Sequence, residues 1–144
     1  LLLSNNKITI LKKGVFRNLN RLEQLDLSEN GLSILDRDVF SGLNNLRSLH
    51  LYANKLKDCS VLRIFSFEHL DLIELNENQI TDIEDCFENF KKLRRIYVSS
   101  NPIKNFFRFH NNSLNDVQIL SIRNLSFDKS NIIDFKTLKN LVLL

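Results

Sequence analysis

A chain of 144 residues with 20 Lys and Arg against 17 Asp and Glu is nearly balanced, at a net charge of +3, and its 43% hydrophobic content is enough for one domain with a sizeable core. No basic run or basic–aromatic stripe points to nucleic acid, and no stretch approaches the roughly 20 apolar residues of a membrane span. The composition therefore predicts no nucleic acid and no membrane contact for this segment.

In chain order, the same short pattern returns. The chain opens on "LLLSNNKI", with Asn6 closing an apolar run. The pattern L-x-x-L-x-L-x-x-N-x-L is complete in "LEQLDLSENGL" at 22–32, then recurs as "LRSLHLYANKL" (46–56), "LDLIELNENQI" (70–80) and "LRRIYVSSNPI" (93–103). The asparagine slot falls at Asn6, Asn30, Asn54, Asn78 and Asn101, a period of 24 with one step of 23. A further step of 24 reaches Leu125, inside "VQILSIRNLSF" (117–127), a sixth copy whose asparagine is replaced by leucine. "LVLL" at 141–144 begins a seventh. Between the motifs, Phe16, Phe40, Ile64, Phe87 and Phe135 hold one slot, and Leu11, Leu35, Cys59, Ile83, Phe106 and Ser130 another. In the fifth copy the first of these slots falls on Asn111, so Phe107 or Phe109 is expected to supply the missing ring. The units run 1–21 (partial), 22–45, 46–69, 70–92, 93–116, 117–140 and 141–144 (partial). Repetition at one fixed period is the signature of a stacked-coil architecture.

One copy cannot bury its own leucines, whereas stacked neighbours can. The second and third leucines of L-x-x-L-x-L are two residues apart, so both face one side of a short strand. Copies one period apart then pair as parallel strands. The asparagine turns inward where the chain leaves the strand, and its buried amide must find backbone partners. Stacked asparagines should form a ladder, broken at Leu125. The segment "DRDVFSGLNNL" (36–46) opens on a capping-type Asp36 and forms the outer wall as a loop or short helical turn.

These motifs resemble the leucine-rich repeat family over nearly the whole chain, in its 24-residue subclass with a phenylalanine spine. Toll-like receptor ectodomains and the leucine-rich-repeat immune proteins of mosquitoes look similar. The resemblance implies an α/β solenoid, a curved right-handed superhelix with a parallel β-sheet on the concave face and loops or short helices on the convex face. It also implies an extracellular, secreted or cell-surface setting. Because the copies at either end are partial and no cap is seen, the sequence reads as a piece of a longer protein.

Cys59 fills a leucine slot and Cys86 precedes the spine Phe87 in the next copy. A disulfide between them and two buried free thiols both stand open, the differing slots favouring free thiols. Asn111 and Asn124 each open an Asn-x-Ser glycosylation sequon, and Asn111, on the outer loop, is the better candidate. His50, His69 and His110 show no metal-ligand spacing, there is no C-x-x-C, G-x-S-x-G or P-loop, and the carboxylates fall on solvent slots. No enzyme activity, metal or cofactor is expected.

Function is then expected on the concave wall, where the side chains between the strand leucines are free to vary. The residues assigned to partner binding are Asp26, His50, Tyr52, Glu74, Asn76, Arg95, Tyr97 and Arg123. Tyrosines anchor interfaces well because they bury a large ring and keep a polar tip. Glu74 beside Arg95 reads as a cross-strand ion pair, and Leu72, Ile119 and Leu143 add apolar points. The expected function is a non-enzymatic scaffold of innate immune recognition, binding a protein partner or microbial surface ligand. An adhesion or neuronal-guidance ectodomain and an intracellular scaffold are the alternatives. Open solenoid ends would allow a homo- or heterodimer.

Overall fold

In a computed structural model of the chain, the described residues are 1–65, 67–83, 86, 87, 89–104, 114–125 and 138–142. The spine candidates Phe107, Phe109 and Phe135, the sequon residue Asn111 and the apolar Leu143 lie outside them.

Five three-residue strands carry the repeat: β1 (Gln24–Asp26), β2 (Ser48–His50), β3 (Leu72–Glu74), β4 (Arg95–Tyr97) and β5 (Ile119–Ser121). They form one sheet in the order β1-β2-β3-β4-β5, with every pair parallel. The register follows the repeat: Leu25 lies beside Leu49, Leu49 beside Ile73, Ile73 beside Ile96 and Ile96 beside Leu120. Leu2 adds a bridge to Asp26 from the first coil. Each coil makes one turn of a right-handed solenoid, with the sheet on the concave wall. The leucines of the pattern face inward, and Leu25, Leu27, Leu49, Leu51, Leu75 and Val98 are completely buried. Pairing continues past each strand. Leu51 N donates to Glu74 O, and Ala53 N to Asn76 O, with the same bonds one coil earlier and later.

Each strand exit needs one residue in the left-handed region. Asn5, Glu29, Ala53, Glu77, Ser100 and Asn124 hold φ between 50° and 56°, each immediately before the ladder slot. The ladder follows directly. Asn78 accepts from Leu56 N (3.0 Å) and donates to Leu51 O (2.9 Å), Leu75 O (3.1 Å) and Asn76 O (3.2 Å). Asn30, Asn54 and Asn101 repeat this set. Asn6, in the first coil, reaches only Leu3 O and Ser4 O of its own turn. Leu125 packs on the core as a partly buried apolar residue. Ile103 N, which an asparagine there would cap, has no partner among the described residues.

The convex side is built from turns, and the described residues contain a single helix, the 3-10 turn Ser60–Ile64. Asp36 does not open a helix. Its Oδ1 accepts from Asp38 N (2.9 Å) and closes a turn, as Asp58 does for Ser60 N one coil later (2.8 Å). Gly42 is required where it stands: its φ is +93°, and an added Cβ would lie 2.2 Å from Arg17 O of the coil before.

The phenylalanine spine runs through stacked and tilted pairs, Phe16–Phe40 at 6.4 Å, Phe40–Phe67 at 6.0 Å and Phe67–Phe90 at 5.6 Å between ring centroids. The slot given to Ile64 needs correction. The 3-10 turn rotates that residue outward, to 49% exposure, and the following Phe65 inserts against Phe40 (5.4 Å) and Phe67 (5.5 Å).

The cysteines are bonded, Cys59 to Cys86, with Cα atoms 5.3 Å apart, which overturns the preference for free thiols. Ile83 is the residue one period beyond Cys59. A turn closed by Cys86 N donating to Ile83 O (3.2 Å) folds Cys86 back over that slot. The separation of 27 is thus one 24-residue coil plus one three-residue turn.

Candidate binding face

The strands and their exits place three rows of side chains along the concave wall, with Ser28 of the third row buried. The first is Gln24, Ser48, Leu72, Arg95 and Ile119; the second is Asp26, His50, Glu74, Tyr97 and Ser121, each beside the next in register. The third lies two residues on: Ser28, Tyr52, Asn76, Ser99 and Arg123. All eight residues assigned to binding therefore share one wall. Strand geometry produces this, because i and i+2 side chains project the same way while the leucine between them is buried.

The wall is pre-organised by its own hydrogen bonds. His50 Nδ1 lies 2.9 Å from Glu74 Oε2. Asn76 Nδ2 approaches Glu74 Oε1 at 3.5 Å, and Asn76 Oδ1 accepts from Ser99 N at 2.7 Å. Asp26 Oδ1 accepts from Ser28 N at 2.9 Å. Partial burial pushes the Asp26 carboxyl up, but hydrogen bonds from Ser28 and Ser4 and the nearby His50 outweigh it, leaving the carboxyl below its ordinary value. The Tyr52 phenol is raised, first by the Glu77 carboxylate, then by burial and by Glu29 and Glu74.

The expected Glu74–Arg95 pair does not form. Register sets Glu74 beside Tyr97 and Arg95 beside Leu72. Arg95 instead turns to Asp71 of the neighbouring coil, with Nε 3.0 Å from Oδ2 and a second contact through Nη2. Glu74 is left to His50 and Asn76.

Sequence reasoning passed over Glu29 and Glu77, which flank Tyr52 from the left-handed position before the ladder asparagine. That position, one residue ahead of each Asn, was the available signal. It also passed over Asp71 and the hydroxyls of Ser99 and Ser121, which contact each other at 2.8 Å. Tyr97, Ser121 and Arg123 share an open cleft of about 330 Å³ with Ile119 and Val142. Charge along the wall is divided, with Asp26, Glu29, Glu74 and Glu77 toward one end and Arg95 and Arg123 toward the other. Asn124 is exposed on the rim, its Nδ2 3.3 Å from Ser100 Oγ. Among the described residues no group of three or more His, Cys, Asp or Glu could hold a metal ion, and no helix is long and apolar enough to cross a membrane.

Comparison with known proteins follows the same lines. Residues 1–56 match the leucine rich repeat family model. No curated protein matches the chain. Among solved structures, the fold superimposes on TLR13 in a TLR13–ssRNA13 complex, with a TM-score of 0.86 and 28% identity over 97% of this chain. It also superimposes on a leucine-rich repeat protein of Leptospira interrogans, with a TM-score of 0.70 and 22% identity over 88% of this chain. The chain spans 20% of the first and 37% of the second. The exclusion of nucleic acid on composition alone does not fit the first neighbour, which was solved with an ssRNA, and is withdrawn. The fold is a leucine-rich repeat solenoid, an architecture that is typically a non-enzymatic scaffold for partners, and the match over residues 1–56 together with both structural neighbours supports a leucine-rich repeat family for this chain.

Proposed function

We propose that this segment is part of an extracellular recognition protein of innate immunity and that it holds a protein partner on the concave wall. The observation that carries the reading is the continuous row Asp26–His50–Glu74–Tyr97–Ser121 with Tyr52 beside it, a polar and aromatic surface on a rigid sheet. None of these side chains is used by the core, so their identity is free to serve a partner. A wall held by backbone pairing loses little ordering entropy on binding. The Cys59–Cys86 bond supports an oxidising compartment, since disulfides are rare where thiols are kept reduced. The likeness to TLR13 supports the immune assignment.

That likeness also raises RNA as a ligand, and charge decides between the two. Nucleic-acid affinity comes largely from cations on phosphates. Here Arg95 is engaged by Asp71, and four carboxylates lie along the same wall. A protein partner with basic and aromatic groups fits better.

The test immobilises the chain and presents three probes: a displayed library of secreted proteins, peptidoglycan and lipopolysaccharide preparations, and a single-stranded RNA oligonucleotide. Protein binders that lose at least fivefold in affinity to the folded Tyr52→Ala/Tyr97→Ala variant support the reading. Protein binders indifferent to that variant, or binding confined to RNA and abolished by Arg123→Ala, would overturn it.

A further inference from the structure

Four of the seams between successive coils carry the same bridge, part-buried in the first and buried in the other three. Asn30 Oδ1 takes Ile8 N, Asn54 takes Leu32 N, Asn78 takes Leu56 N and Asn101 takes Ile80 N, each at 3.0 Å. The seam between the coils of β4 and β5 has Leu125 in that place, and Ile103, completely buried, keeps its N–H without a partner among the described residues. Its polar contacts lie at the solvent side instead. Ser99 Oγ meets Ser121 Oγ at 2.8 Å, Arg123 N donates to Ser99 Oγ at 2.9 Å, and Asn124 Nδ2 approaches Ser100 Oγ at 3.3 Å.

We propose that this seam is a built-in opening point, at which β5 and its exit, residues 117–125, part from residues 93–104 while the four bridged seams before it stay closed. The reasoning is comparative. Opening a laddered seam strands a buried amide's bonds. Among the described residues, opening this one breaks the strand bonds that every seam carries but strands no ladder amide, relieves the uncapped Ile103 N–H by letting water reach it, and otherwise gives up the exposed hydroxyl and amide contacts that water replaces readily. In a solenoid, where each coil touches only its neighbours, stability is a sum over seams, so one weak seam localises opening. The strand bonds Val98 N to Ser121 O (3.0 Å) and Ser100 N to Arg123 O (2.9 Å) close the seam at rest. A partner that spans Tyr97 and Arg123 would hold it shut, so occupancy of the wall and closure of the seam are linked.

The experiment is native-state amide hydrogen exchange on the whole 144-residue chain. Ile103 N–H should exchange at least tenfold faster than the equally buried Leu32, Leu56 and Ile80 N–H, and Ile119 N–H at least tenfold faster than the amides of β2 and β3. Leu125→Asn, which supplies the missing bridge, should slow both Ile103 and Ile119 by about tenfold. Protection of Ile103 equal to that of Ile80 would overturn the inference. So would unchanged Ile119 exchange in Leu125→Asn, because the opening would then be fraying of the chain end. Asn101→Leu provides the reverse test should Leu125→Asn not fold. It should raise Ile80 exchange to the level of Ile103, and a still-protected Ile80 would overturn the inference equally.

Discussion

Asn78→Ala tests the ladder, and the cost follows from which groups it strands. The side chain is 6% exposed and makes four hydrogen bonds. Three go to carbonyls that keep another donor. Leu51 O still receives Asn54 Nδ2 (3.2 Å), Leu75 O still receives Asn101 Nδ2 (2.9 Å), and Asn76 O still receives Ala53 N (3.0 Å). Only Leu56 N–H is left unpaired, in a residue that is completely buried. A buried donor without a partner costs about 1–3 kcal/mol, and the lost bonds to already satisfied carbonyls add a fraction of that. The expected loss is about 2–3 kcal/mol, well below the ~4–6 kcal/mol that four independent bonds at roughly 1–1.5 kcal/mol each would give. At about 3 °C per kcal/mol for a domain of this size, Tm should fall by roughly 6–9 °C. Urea unfolding followed by circular dichroism, with exchange at Leu56 as the local probe, measures both. A loss near 5 kcal/mol would show that the four bonds act independently, and a loss under about 0.5 kcal/mol would show that Leu56 N–H is capped by something else; either refutes the shared-acceptor account.

Other expectations are simpler. Closing a 27-residue loop is worth about 3.5 kcal/mol in the chain-entropy model, so reductant or Cys59→Ala/Cys86→Ala should lower the urea midpoint accordingly, and an unchanged midpoint would argue against the bond. With only two tyrosines in the chain, absorbance titration of Tyr97→Phe reads Tyr52 alone. Its midpoint should lie above the ordinary 10.0 and fall in Glu77→Gln. Because the folded value is raised, any stability tied to the neutral phenol is present below the ordinary value and lost as pH rises through the folded one. A double-mutant cycle between Asp71 and Arg95 should give about 0.5–1 kcal/mol of coupling, while one between Glu74 and Arg95 should give none beyond error. Gly42→Ala should cost more than ~3 kcal/mol, since it combines positive φ with a backbone collision at Arg17; a loss under about 1 kcal/mol would mean the two coils part easily there.

The parts legible in the sequence were those tied to the period. Spacing of 24 placed the strands beside one another, because inward leucines and the ladder asparagine fix register independently of what lies between them. The same arithmetic failed where the chain departs from the period locally. Ile64 holds the spine slot by count, but in its coil the 3-10 turn Ser60–Ile64 leaves Ile64 exposed and Phe65 packs against Phe40 in its place. Counting also separated Cys59 from Cys86, since a sequence slot does not show that an i to i+3 turn doubles back over the coil before. The Glu74–Arg95 error has a different origin. Two charges close in the grid were paired by sign, whereas Asp71, one residue before β3, offered Arg95 a nearer carboxylate. Side-chain partners depend on reach and direction, which periodicity does not encode.

The division of labour within each strand explains why the wall can be specific without endangering the fold. Leu49 is completely buried, while Ser48 and His50 on either side of it contribute nothing to the apolar core. The ladder works at the strand exit and points inward, so its bonds are indifferent to what the outward rows carry. Substitutions at His50, Tyr52, Glu74 or Tyr97 should therefore leave the stack intact, whereas those at Leu49, Asn54 or Ile73 should not. The exception is the seam at Leu125, where the inward bridge is gone and Ser99, Ser121 and Arg123 of the wall supply polar contacts between coils. Wall side chains also join coils at the earlier seams, through His50 with Glu74 and Asn76 with Ser99, but there the inward bridge backs them; at Leu125 it does not, so binding and opening are coupled through Ser99 and Ser121.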